Sequence, residues 1–192
     1  VAVVVSAMSG VTNQLIEYVT QVSQLHVTCE YDVVLSAGEQ ITSALMALAL
    51  NELGIQARSW LGWQLPVQTD SVHGNATISH IVIDEIVSRF ADGQVPVLAG
   101  FQGLSPENRI TTLGRGGSDT SAVSLAAALG ADRCDIFTDV DGVYTTDPRV
   151  VVSARKLDKI TYEEMLEMAS LGAKVLQAKS VVMAMRSSVR LQ

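Results

Sequence analysis

The stretch Thr111 to Ala131, "TTLGRGGSDTSAVSLAAALGA", runs from a short β-prone segment through a glycine-rich loop into a helix spanning Ser118 to Leu129, with Gly130 as its stop. A loop of this kind binds anions, because its bare amides and the positive end of the helix dipole both favour negative charge. Asp119 in the first turn would repel a phosphate unless a magnesium ion, a lysine or an ammonium group stands between them. A helix start capped by Ser118 or Asp119 is the simpler reading. Capping alone does not call for Gly114, Gly116, Gly117 and Arg115 together. The lysine of a Walker A loop is absent.

Outward from this loop, strand-like and helix-like segments alternate. "VAVVVSAM" reads as a buried strand leading into the loop "SAMSGVTN", and Leu15, Ile16, Val19 and Val22 then recur at helical spacing. "YDVVLSAGEQ" reads as an apolar strand entering a second glycine turn, followed by the helix "ITSALMALALNELG". "IQARSW" is a short strand, Leu61 to Ser79 a long loop, His80 to Phe90 an amphipathic helix and "VPVLAG" a buried strand. "RCDIFTDV" is the next strand, Thr161 and Glu164 form a capping box, and a last helix covers Lys174 to Met185. This rhythm predicts an α/β domain over residues 1–192, with a mainly parallel sheet covered by helices on both faces. Ligands of such sheets bind at the carboxyl ends of the strands, where the glycine turns fall.

A second chemical cluster is "TDVDGVYTTDPR", Thr138 to Arg149. Three aspartates with Tyr144 and Arg149 after a strand suit a nucleotide's base and phosphates, with magnesium offsetting the acids. Singly, Asp-Gly and Asp-Pro are ordinary turn formers. Glu39 is placed at the mouth of a helix, where dipole stabilisation and ligand binding account for it equally well. Ser9 and Thr12 divide in the same way between turn or cap and ligand roles. His26, His73 and His80 read as surface or loop residues, and Trp60 and Trp63 as packing.

The chain has 192 residues, 48% hydrophobic and 17% charged, with a formal net charge of -7. That charge argues against a grip on nucleic acid or an anionic membrane. Two distant cysteines support neither a disulfide framework nor a zinc site, and the expected location is cytoplasmic. No apolar run reads as a membrane span. The apolar start and the ending "SSVRLQ" read as strands cut at both ends, so a piece of a longer protein is expected.

The ordered set "VVVSAMSGVTN", "LSAGEQ", "GFQG", "ITTLGRGGSDTSA", "FTDVDGVYTTDPR" and "ITYEEMLEMASLGAKVLQ" closely resembles the bacterial aspartate kinases of the amino acid kinase family. The resemblance implies a three-layer sandwich and phosphoryl transfer from MgATP to the side-chain carboxylate of L-aspartate, the first step towards lysine, threonine and methionine. It further implies that Thr12, Glu39 and Arg115 hold the amino acid, with Gly116, Gly117 and Ser118 offering amides to developing negative charge and Asp119 organising the transfer. Thr138, Asp139, Tyr144, Asp147 and Arg149 would form the nucleotide side, with Lys174 reaching the phosphates. Family members carry a "KFGGTS" strand and loop before the first motif here and ACT regulatory domains after the last. Without that loop's lysine, the chain by itself is expected to turn over poorly. A homo-oligomer is expected for the parent. A sister kinase with another carboxylate substrate and a non-catalytic binding module are the alternatives.

Overall fold

The computed structural model describes residues 1–24, 29–173 and 175–192. His26 and Lys174, both singled out by sequence, lie outside the described residues. Three parallel strands form one sheet in the order β1 (Val3–Val5), β5 (Val95–Ala99), β2 (Ala57–Trp60). A second, mixed sheet has the order β4 (Ile78–Ile81), β3 (Val67–Thr69), β6 (Gln102–Leu104), β7 (Ile110–Thr112). The helices are α1 (Val11–Val22), α2 (Cys29–Glu52), α3 (Asp84–Ala91), α4 (Gly117–Leu129), α5 (Tyr162–Ser170) and α6 (Ala178–Ser187).

The parallel sheet is covered on both faces, as the unbroken apolar strands β1 and β5 require. Side chains alternate along a strand. Val3, Val5, Val95 and Val97 accordingly pack with Ala47 and Leu50 of α2, while Val4 and Leu98 meet Ile86 and Phe90 of α3 and Leu125 and Leu129 of α4. The predicted three-layer α/β arrangement is therefore present, with the mixed sheet added to it. On its outer side, α4 packs on α6 through Val123, Ala126 and Ala184.

Several local expectations change. "YDVVLSAGEQ" is helical: α2 runs unbroken through it, so Glu39 lies mid-helix and not at a helix mouth. Its valine-rich run fits a strand and a helix equally well, and packing on β2, β5 and β7 decides for the helix. By length and composition α2 also qualifies as a membrane span. Here it buries Asp32, Leu35, Ser36, Gly38, Glu39, Ser43 and Ala47 on the side packed against the sheets, while Ile41, Leu45 and Leu48 are exposed.

The segment 61–79 holds β3 and the start of β4, and His80 belongs to β4 before α3 begins at Asp84. "RCDIFTDV" makes only an isolated parallel bridge, Cys134 to Leu191. The last helix begins at Ala178. Trp60 is buried under Arg58, which stacks 4.2 Å from the ring centroid, but Trp63 is 52% exposed and does not pack as expected. The capping box forms as read: the Glu164 amide donates to Thr161 Oγ1 at 3.2 Å and the Thr161 amide to Glu164 Oε2 at 3.0 Å.

Candidate active site

The carboxyl ends of β1 and β5 lie side by side, joined where the Gly100 amide donates to the Val5 carbonyl at 3.0 Å. The chain then turns at Phe101, whose φ of 66° is left-handed and costs a bulky residue roughly 1–3 kcal/mol. That turn lets the Leu113 amide donate to the Phe101 carbonyl at 2.9 Å. The glycine-rich loop is thereby seated above the two parallel strands, where the alternation of elements places a ligand.

Neither Ser118 nor Asp119 caps α4. Its N-cap is Gly116, at φ 70°, and no side chain bonds the first-turn amides. The same device opens α1, where Gly10 at φ 82° replaces the expected Ser9 or Thr12 cap. The first amide of each helix folds back, Gly117 onto the Gly114 carbonyl and Val11 onto the Met8 carbonyl, both at 3.0 Å, and the later first-turn amides stay available to a ligand. Gly116 needs to be glycine twice over, since a Cβ would meet the Gln177 Cγ at 2.1 Å and φ is positive. Gly116→Ala should lower stability by more than the roughly 1–2 kcal/mol of left-handed strain alone. An unchanged melting temperature would contradict this packing of the loop on the start of α6.

Glu39 is 4% exposed. One of its oxygens, Oε1, accepts the Ala7 amide at 3.0 Å, whereas Oε2 is buried with no hydrogen-bond partner among the described residues. Burial pushes its carboxyl up to about 7, against the opposing pull of the Ala7 amide. The contact exists because Gly38 lets α2 come close: a Cβ there would fall 2.8 Å from that of Ala7. Gly38→Ala should push the Ala7 loop away and free the glutamate. Slower hydrogen exchange at Ala7, or none of the change, would refute that coupling.

Thr12 is half-buried in the first turn of α1, just beyond the Ala7 loop. Arg115 is exposed and has no ion-pair partner among the described residues. Asp119 is half-buried and its carboxyl is pushed up by burial. Together with Ser118 it lines a cavity of about 820 Å³ that runs between the free side of β1 and Cys134 to Phe137. This cavity connects the start of α4 to the segment entering the second cluster.

That cluster is an exposed, folded-back loop. The Tyr144 hydroxyl donates to Asp141 Oδ2 at 2.9 Å, and Tyr144 bridges to Lys156 in antiparallel fashion. Arg149 and Asp147 form a two-pronged ion pair, with Arg149 Nε at 3.0 Å from Oδ1 and Nη2 at 2.8 Å from Oδ2. Thr138 Oγ1 donates to Asp139 at 3.2 Å. The aspartate is thus matched to an arginine before any ligand arrives, and the loop carries less unpaired charge than its composition implies.

Sequence reasoning missed Phe101, Gln177 and the Asp32–His73 pair. His73 is no ordinary loop residue, for its Nδ1 lies 2.7 Å from Asp32, 41 positions away. An acid in the first turn of a helix and a histidine in a glycine-containing loop carry no local signal of meeting.

The chain matches the amino acid kinase family model over residues 1–192. It is 57% identical over its whole length to the aspartate kinase of Stutzerimonas stutzeri and 57% identical to the aspartokinase of Pseudomonas aeruginosa, covering 47% of each. It thus spans about half the length of these curated relatives. Among solved structures, Escherichia coli aspartokinase III in complex with aspartate and ADP superposes with a TM-score of 0.88 at 31% identity, covering 99% of this chain and 54% of that one. The uncapped glycine loop above paired parallel strands, the three-layer core and these matches agree: the chain belongs to the amino acid kinase family.

Proposed function

We propose that this chain is the substrate-binding and phosphoryl-transfer part of an aspartate kinase, passing the terminal phosphoryl group of MgATP to the side-chain carboxylate of L-aspartate. The observation that carries the reading is Glu39, a buried carboxylate with one oxygen satisfied and the other without a partner among the described residues. A buried bare oxygen costs free energy unless a ligand group meets it. An ammonium group does so, and it restores the ionised form.

Arg115, whose guanidinium pairs with no carboxylate among the described residues and which is flanked by glycines, supplies a fork for a substrate carboxylate. Thr12 adds a hydroxyl near the Ala7 loop. The Gly117 amide is held by the Gly114 carbonyl at 3.0 Å, so the amides of Gly116 and Ser118 face charge that builds on the transferring group, and Asp119 organises the transfer beside them. Phosphoryl transfer of this kind asks for positioning and charge neutralisation, with no covalent intermediate on the protein. Tyr144, Thr138, Asp139 and the Asp147–Arg149 pair take the nucleotide side. Magnesium would come with the nucleotide's phosphates and share one or two exposed aspartates of this loop. The relatives named above support both substrates, as does the aspartate and ADP complex of the Escherichia coli protein.

Calorimetric titration of the chain with L-aspartate in the presence of MgADP tests the reading. Binding of aspartate in preference to glutamate is expected. Failure to bind either amino acid would overturn it. On the nucleotide side, Tyr144→Ala should weaken ADP binding several-fold and leave aspartate binding unchanged. The reverse pattern would remove Tyr144 from the nucleotide site.

A further inference from the structure

Asp32 is 0% exposed and accepts hydrogen bonds from three residues distant in sequence. Its Oδ1 accepts Thr112 Oγ1 at 2.6 Å and its Oδ2 faces His73 Nδ1 at 2.7 Å, while the Gly74 amide lies 3.1 Å from both oxygens. A carboxylate can only accept, so His73 Nδ1 carries the proton in this contact. The three donors come from β7, which leads into the glycine-rich loop, and from the loop before β4, which packs against that loop at Gly114. Thr112 is the last residue of β7, and its carbonyl accepts the Ala76 amide at 2.9 Å.

The neighbouring contacts extend the clamp. Lys179 of α6 donates to Asn75 Oδ1 and, at 3.3 Å, to the Leu113 carbonyl. Gly114 lies directly against Gly74 and Asn75, with no room for a Cβ clear of them. Arg115 follows immediately. On the other side, Asp32 sits seven residues before Glu39 on α2, two helical turns along the same face and roughly 10 Å away along the axis. One rigid helix therefore carries the open carboxylate and also grips the strand that launches the arginine.

A buried charge network is a poor source of net stability, because apolar residues of equal volume serve at least as well. What it supplies here is a fixed distance. We propose that Asp32, through Thr112 and the His73–Gly74 loop, is a positioning and specificity-determining residue that sets the span between Glu39 and the Arg115 loop. On this account the span fits an amino dicarboxylate of aspartate's length better than the longer glutamate. The inference rests on the substrate reading above.

The test uses this chain with Asp32→Asn, Thr112→Val, His73→Ala and His73→Asn. Aspartate and glutamate affinities, melting temperature and amide exchange at Leu113, Gly117 and Val97 are measured. Asp32→Asn and Thr112→Val should lower aspartate affinity by up to about a hundredfold, the size of effect that a displacement of an ångström produces. Glutamate affinity should fall less, so that discrimination shrinks. Exchange should quicken at Leu113 and Gly117 and stay unchanged at Val97, which lies in the centre of the parallel sheet. His73→Asn, which keeps a donor near the Nδ1 position, should behave as the parent chain, and His73→Ala as a milder Thr112→Val.

Equal losses for the two amino acids, or exchange that quickens equally at Val97, would reduce Asp32 to a structural residue and overturn the proposal. If the parent chain binds neither amino acid, the substrate reading fails. In that case unchanged exchange at Leu113 and Gly117 in Asp32→Asn still overturns the coupling, and quickened exchange confined to them upholds it. Should Asp32→Asn fail to fold, Thr112→Val, which removes one hydroxyl and keeps the shape, gives the same reading.

Discussion

Glu39→Gln should weaken aspartate binding by about 3 kcal/mol, on the order of a hundredfold, because it removes one member of a buried charge pair with the substrate's ammonium group. The same substitution should raise the melting temperature of the ligand-free chain at pH 8. Glutamine can still accept the Ala7 amide through its side-chain oxygen, and it avoids ionising a group held in a buried site. The sign follows from the raised carboxyl. Its ordinary value is 4.5 and its folded value about 7, so the stability tied to the protonated form is complete below about 4.5 and is lost as pH rises through 7.

Substrate affinity has the opposite slope, since an ammonium group requires the carboxylate. Between pH 6 and pH 8 aspartate should bind roughly tenfold more tightly as Glu39 ionises, and Glu39→Gln should flatten that dependence. Calorimetry and thermal melts across this range decide the matter. Affinity and stability falling together in Glu39→Gln, or a pH profile that the substitution leaves intact, would show that Glu39 does not receive the substrate.

Arg115→Lys should cost about 2 kcal/mol in aspartate binding, roughly thirtyfold, while leaving ADP affinity and melting temperature unchanged. A lysine keeps the charge but loses the planar fork that meets both oxygens of a carboxylate. The expected separation of effects rests on the surroundings of Arg115. It is exposed, pairs with no carboxylate among the described residues and sits between Gly114 and Gly116, so it has no structural task to lose. Damage confined to the nucleotide would reassign the residue to the phosphate side.

Much of the frame was legible without coordinates. The glycine loop opening α4, the Gly130 stop, the buried strand at Val95 and the Thr161–Glu164 box are set by neighbours within a few residues, and local sterics and local hydrogen bonds suffice to specify them. The alternation of apolar segments also implied a sheet covered on both sides. The positions of Arg115, Gly116 and Gly117 at a helix start follow from the same local rules.

Other features depended on partners far along the chain. "VVLSAG" became helix because α2 lies across β2, β5 and β7, and only that placement turns Glu39 from a helix-mouth acid into a buried carboxylate with a bare oxygen. The strands β3, β4 and β6 are three or four residues each, too short to show a period, and they exist through their pairing. Asp32 meets Thr112 and His73 across separations of 80 and 41 residues. The amino acid sequence determined which groups could bind a ligand of mixed charge. Tertiary structure decided which were buried, which were already matched and how far apart they stand, because desolvation and distance are properties of the packed chain and not of any segment in it.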